Sequence, residues 1–131
     1  MEREYRRILI NDASYQKVKN RLKADIPMHW NEYELSTIAL VIMCCFLLKD
    51  NETGVLPLHP ELYAIVAKEL ACSPSTIQNR VKRVKDKFFE QPVAKSILSM
   101  FNLNSNQIYT DMFYRMLMDM LSDMKSELGV N

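Results

Sequence analysis

The chain has 131 residues, 48% of them hydrophobic, with two glycines and nine methionines. That is enough for one domain with its own core and too apolar for a disordered tail, and the scarcity of glycine beside plentiful Leu, Met and Lys favours helices over strands. The formal net charge of +1 hides an uneven distribution, because residues 79–87 carry five bases against one acid while residues 26–78 carry two against six.

The opening, MEREYRRILINDAS, is charged and lacks a long apolar run, so no signal peptide is expected. Residues 2–10 are predicted as a short charged helix, with Tyr5, Ile8 and Leu9 on one side and Arg3, Arg6 and Arg7 elsewhere. Residues 1–12 read as an extension that packs on the body, pairs with a partner or touches a DNA backbone. Residues 13–131 read as one helical domain. Asp12 is the expected N-cap of a helix over about 13–24 that carries Tyr15, Val18 and Leu22 on one face. Pro27 interrupts it. Asn31 is expected to cap a long helix to about Lys49, with Tyr33 and Leu35 leading into the apolar run IALVIMCCFLL. That run, Ile38 to Leu48, is 11 residues. A bilayer needs about 20, so a buried core helix is predicted and no membrane partner.

KDNETG is a turn-rich connection, and LPLHP follows it. Pro60 suits a first helical position, where its missing N–H costs nothing, and Leu62, Ile65, Val66 and Leu70 then recur at helical spacing. Ser73 followed by Pro74 signals a second start, a hydroxyl N-cap ahead of a first-turn proline. Ile77, Val81, Val84 and Phe88 make one apolar stripe in the helix after it. Pro92 opens PVAKSILSMF, NLNSNQ reads as a loop, and a last helix is predicted from about Ile108 to Leu128, closed by Gly129. The expected architecture is all-α, a bundle of about six helices containing a helix-turn-helix.

The chemistry is sought in residues 60–90, a helix, the tight turn ACS and a second helix, with the small Ala67 where the two cross. Val66, Leu70, Ile77 and Val81 are expected to face the core. That leaves Ser75, Gln78, Asn79 and Lys82 together on the outer face, since i, i+3, i+4 and i+7 share one side of a helix. The first turns of a recognition helix meet base edges in the major groove. Gln and Asn can bond adenine N6 and N7, and Lys can reach guanine O6 or N7. These four are the candidate base readers on double-stranded DNA. Ser73, Thr76, Arg80, Arg83, Lys85 and Lys87 are the candidate phosphate contacts, which orient the protein and supply salt-dependent affinity. The N–H groups near Ser75 and Thr76 also favour an anion.

The segment LHPELYAIVAKELACSPSTIQNRVKRVKDKFFEQPVAKSILSMF resembles the C-terminal DNA-binding domain of the master sporulation response regulator of spore-forming Firmicutes. His59-Pro60 stands at that family's Tyr-Pro place and Val66-Ala67 at its Ile-Ala place. Gln78, Asn79 and Lys82 stand where Glu, Arg and Arg are usual. Upstream, IPMHWNEYEL looks like the lead into the family's long buried helix. The resemblance covers roughly residues 13–125 and is sharp at 56–90. It implies a six-helix domain that binds DNA through the second helix of the pair and regulates transcription. No receiver domain precedes the module, so the family's phosphorylation switch is not carried over. Nor is its target sequence, because the reading residues differ. Asn or Gln in place of Arg implies a shift from guanine towards adenine.

Other features carry less. Cys44, Cys45 and Cys72 form no CxxC pair, so neither a disulfide framework nor a zinc site is expected, and a reducing cytoplasm fits. His59 reads as a helix N-cap or turn residue, and His29, beside Trp30, as a packed loop residue. Gly54 and Gly129 are too far apart for a phosphate-cradling loop. Glu32 and Glu34 point to different helix faces. No enzyme and no cofactor are expected. In the last helix Phe113, Leu117, Met120, Leu121, Met124 and Leu128 form a stripe suited to the core, with Met112, Met116 and Met118 partly off it. The excess methionine is also suited to an adaptable contact with a protein partner or a second copy, which would let two chains read paired half-sites. The competing function class is a protein-interaction module that uses this Met-rich helix and not the helix-turn-helix.

Overall fold

The computed structural model describes residues 13–104 and 108–128. Six α-helices follow one another: α1 (Ala13–Asp25), α2 (Glu32–Leu48), α3 (His59–Glu69), α4 (Pro74–Phe89), α5 (Pro92–Met100) and α6 (Thr110–Met120). A 3-10 turn, Ser122–Met124, ends the succession, and the described residues include no strand. The helix expected over 2–10, the Asp12 cap and the Gly129 stop lie outside the described residues.

The axis of the molecule is α2. Leu35 and every residue from Thr37 to Phe46 are buried, and a helix apolar on all sides is stable only when surrounded. Here α1, α3, α4 and α6 surround it. Its start is set by Asn31, whose Oδ1 accepts the N–H groups of Tyr33 (2.8 Å) and Glu34 (3.4 Å). Ahead of it Pro27 breaks the chain as expected, and the Trp30 indole N–H closes the loop onto the Ile26 carbonyl (3.0 Å). His29 is exposed in this loop, not packed: Trp30 takes the inward position. At 17 residues α2 is the longest helix described. No helix among the described residues is long and apolar enough to cross a membrane.

Burial also sets the chemistry of the two core cysteines. Desolvation pushes the Cys44 thiol up to about 12, with a smaller contribution from Glu69. Cys45 is raised for the same reason, with the Cys44 thiol adding to it. Both stay as neutral thiols, which are poor nucleophiles.

The connection after α2 is held by Asp50, whose Oδ1 accepts the N–H groups of Glu52 (2.8 Å) and Thr53 (3.0 Å), while Gly54 supplies a left-handed φ of 72°. The Asp50 carboxyl is held below its usual range by those backbone donors, that of Thr53 first. Arg115 of α6 reaches across to the Gly54 carbonyl (2.9 Å) and ties the connection down.

The α3 end is tighter. The Cys72 N–H returns to the Ala67 carbonyl (3.0 Å), which requires Ala71 to take a left-handed φ of 54°. Such caps normally use glycine, because a Cβ crowds the backbone there. Ala71→Gly is therefore expected to stabilise the fold by about 1 kcal/mol, read as a raised urea midpoint with an unchanged slope. A lowered midpoint would show that the alanine methyl has a packing role.

Two sequence expectations are corrected in the second half. At the end of α4 it is Phe89 that is fully buried, while Phe88 is half-buried. Both rings gather round Phe113, at centroid distances of 6.1 and 5.6 Å. The last helix does not run to Leu128 but stops at Met120. Beyond it the chain turns so that Leu121, Met124 and Leu128 still reach the core. Polar groups of α1 hold that turn: Arg21 donates to the Met120 carbonyl (3.3 Å) and to Asp123 (2.7 Å), and Ser14 donates to the Glu127 carbonyl (3.1 Å). Of the expected stripe, Phe113, Leu117, Leu121, Met124 and Leu128 are buried, but Met120 is half-buried and Met118, expected partly off the stripe, is buried. Where the helix was expected to continue, the Met120 carbonyl accepts from Arg21 of α1.

Candidate nucleic-acid interface

The start of α4 is built by its own first residues. Ser73 accepts the Thr76 N–H on its Oγ (3.2 Å), and Pro74 occupies the first turn. The Ser73 hydroxyl also meets the hydroxyls of Ser75 (3.0 Å) and Thr76 (2.9 Å). Of the N–H groups expected to face an anion, that of Thr76 is thus already engaged by the cap. Ile77, Val81 and Val84 lie buried on the inner side and fix the helix's rotation. Ser75, Gln78, Asn79 and Lys82 are all exposed, on one outer face.

That face has two margins. On one side, the first turns of α2 receive a row of bases. The Arg80 guanidinium lies over the Tyr33 ring, 5.3 Å from its centroid, and its Nη1 donates to Thr37 Oγ1 (3.3 Å). Arg83 Nε donates to Glu34 Oε2 (3.1 Å), and Lys87 Nζ donates to Glu34 Oε1 (2.5 Å). Glu34 is buried, its side chain only 6% exposed, whereas that of Arg83 is 59% exposed. A buried carboxylate needs partners of opposite charge, and α4 supplies both.

On the other margin, Lys85 Nζ donates to the Ile108 carbonyl (2.8 Å). Beside it a cleft of about 710 Å³ runs along α4, with His59 and Thr110 on its far wall. His59 is the first residue of α3, and its Nε2 lies 2.8 Å from Asp111 Oδ1. Behind it the hydroxyls of Tyr63 and Tyr114 meet at 2.6 Å inside the core. Burial pushes both phenols up, and for Tyr114 the neighbouring Tyr63 adds to the effect.

No protein-family model, curated protein or solved structure matches this chain. The side chains themselves must therefore carry the functional reading.

All four expected base readers come together on the exposed face. Of the six expected phosphate contacts, Ser73 serves the cap, and Arg80, Arg83, Lys85 and Lys87 each make a bond within the protein. Thr76 sits half-buried beside the cap. Glu32 and Glu34 diverge as expected. Glu32 pairs with Lys19 of α1 at 2.5 Å, and that bond holds its carboxyl below the usual range.

Sequence reasoning missed Glu34. A signal was present: Glu34 shares a helix face with Thr37, Ile38, Val41 and Cys45, all buried, so a charge at the head of that row calls for a partner. The His59–Asp111 and Tyr63–Tyr114 pairs join residues about 50 apart and leave no local trace. Among the described residues, no group of three or more His, Cys, Asp or Glu side chains is placed to hold a metal ion.

A separate surface is apolar. Val93, Ile97, Met100 and Phe101 of α5 and its end are exposed, Met100 by 80%. Of these, Val93 and Ile97 border a groove of about 620 Å³ that Phe88, Met116 and Met120 also line. Met116 and Met120 of the Met-rich helix are half-buried and face this groove, whereas Met118 is buried in the core.

Proposed function

We propose that α3 and α4 form a helix-turn-helix and that the chain is a sequence-specific regulator of transcription that binds double-stranded DNA through α4. The observation that carries this reading is the exposure of Ser75, Gln78, Asn79 and Lys82 on one face, backed by buried Ile77, Val81 and Val84. Such a face presents amide and amine groups that match base edges, on a helix held rigidly from behind. The resemblance to the sporulation regulator's effector domain points the same way, and a cytoplasmic site of action goes with it. In this reading Gln78 and Asn79 choose bases and Lys82 reaches a base edge or the adjoining backbone. Arg80 and Lys85 stand nearest phosphates at the two margins, with Ser73 and Thr76 at the helix start, while Arg83 and Lys87 reach phosphate only by leaving Glu34.

Fluorescence anisotropy on duplex DNA across a salt series tests it. Log affinity is expected to fall linearly with log salt, by about 0.9 per phosphate neutralised. Lys82→Ala is expected to reduce that slope by about one. Absence of binding to any duplex at low salt sinks the reading.

The groove at α5 favours a second reading, a protein-contact module that pairs with another copy or a partner through Met116, Met120 and the exposed α5 side chains. In that case the chain sediments as an assembly and leaves duplex DNA unbound in the same low-salt series. The two readings combine if paired copies read two half-sites.

A further inference from the structure

Five bases crowd the segment 79–87, yet their charge is not equally available. Arg80, Arg83 and Lys87 fall at i, i+3 and i+7, so they form one stripe, and that stripe lies against the first turns of α2. Glu34 takes one donor on each carboxylate oxygen. The carboxylate is nearly out of water, so releasing either cation leaves a buried charge with half its partners. Pulling Arg83 or Lys87 to a phosphate therefore opposes a bond the free protein already makes. Lys82, on the exposed face, carries no such opposition from Glu34.

We propose that Glu34 is a positioning residue that withholds Arg83 and Lys87 from a phosphate backbone, so that α4 meets a polyanion with fewer cations than its sequence contains. The inference rests on the DNA-binding reading for its biological meaning, but the withholding itself concerns any polyanion. Its functional consequence is selectivity. Phosphate contacts add affinity without sequence information, so holding two of them back lowers indiscriminate binding and leaves the Gln78–Asn79 face a larger share of the choice.

The test compares the full chain with Glu34→Gln, which keeps the side chain's size and removes its charge. Glu32→Gln is the control: it makes the same formal charge change two residues away, on a carboxylate paired with Lys19 of α1. Two probes are used, heparin-column elution and a salt series on random-sequence duplex DNA. Glu34→Gln is expected to elute from heparin at higher salt than both the parent and Glu32→Gln. Its DNA salt slope is expected to steepen by about one to two, at about 0.9 per added phosphate contact. Adding Arg83→Gln and Lys87→Gln is expected to erase the gain in the Glu34→Gln background and to change the parent little, a coupling that a cycle of variants isolates. Circular dichroism and the unfolding midpoint check that each variant is folded. A variant set in which Glu34→Gln and Glu32→Gln elute together overturns the proposal, as does a parent that loses as much affinity as the variant when Arg83 and Lys87 are removed. If Glu34→Gln, or the parent with Arg83→Gln and Lys87→Gln, proves unfolded, Glu34→Ala alone and with those two substitutions decides it: no gain over Glu32→Gln, or a gain that survives the loss of Arg83 and Lys87, overturns the proposal. If heparin elution shifts as expected while no protein binds duplex DNA, the withholding stands and the DNA reading falls.

Discussion

Phe113→Ala is expected to lower the unfolding free energy by about 3–5 kcal/mol, the usual cost of truncating a buried aromatic ring. Phe113 is completely buried, and its ring meets those of Phe88 (5.6 Å), Phe89 (6.1 Å) and Tyr114 (6.2 Å). Two of those rings end α4 and the third belongs to α6. The side chain is therefore the wedge between the last turn of α4 and α6. A domain of this size has a total stability of about 5–15 kcal/mol, so the variant is expected to lose about a fifth or more of its margin. Urea unfolding followed by circular dichroism measures it. A loss below about 1 kcal/mol would mean that the aromatic cluster closes over the cavity and that α4 does not depend on the wedge.

Loss of Gln78 or Asn79 is expected to have the largest effect on function. Under the DNA-binding reading, each amide side chain makes a paired contact with one base, worth about 1–3 kcal/mol of discrimination. Selection of bound duplexes from a random pool is expected to return a site with adenine opposite these residues. With Gln78→Ala or Asn79→Ala, preference at one or two base pairs is expected to relax by roughly five- to 150-fold, with the other positions unchanged. Both side chains are exposed and hold no part of the core, so the variants should keep the parent's unfolding midpoint. Uniform weakening across all positions would assign them to positioning the helix and not to reading.

What the sequence disclosed and what it hid divide along the range of the forces involved. Asn31, Ser73-Pro74 and Pro60 marked helix starts correctly because a cap is settled within three or four residues. The burial of α2 was legible from its uninterrupted apolar run, and that of Ile77, Val81 and Val84 in α4 because their spacing follows the helix's own period. The end of α6 was not, because it is met by Arg21 of α1, 99 residues earlier, which donates to the Met120 carbonyl that a continued helix would have used. The same holds at the candidate interface. The exposed face of Ser75, Gln78, Asn79 and Lys82 followed from spacing alone. The engagement of Arg83 and Lys87 required knowing that Glu34 lies opposite them, 49 and 53 residues away in the chain. Charge counted along a segment gives its sum, and only the fold tells which part is already neutralised.

The enclosure of α2 has a consequence for how the molecule survives in solution. A helix with no polar side has no acceptable state outside the bundle: when the surrounding helices part, an uninterrupted apolar stretch from Ile38 to Leu48 meets water at once. Such stretches, transiently exposed, are where chains stick to one another. Loss of the fold therefore exposes an adhesive surface in the same step. Variants weakened at Phe113, or at Arg21 and Ser14 where α1 holds the turn after α6, should fail first by clumping as concentration rises, well before their average helix content declines.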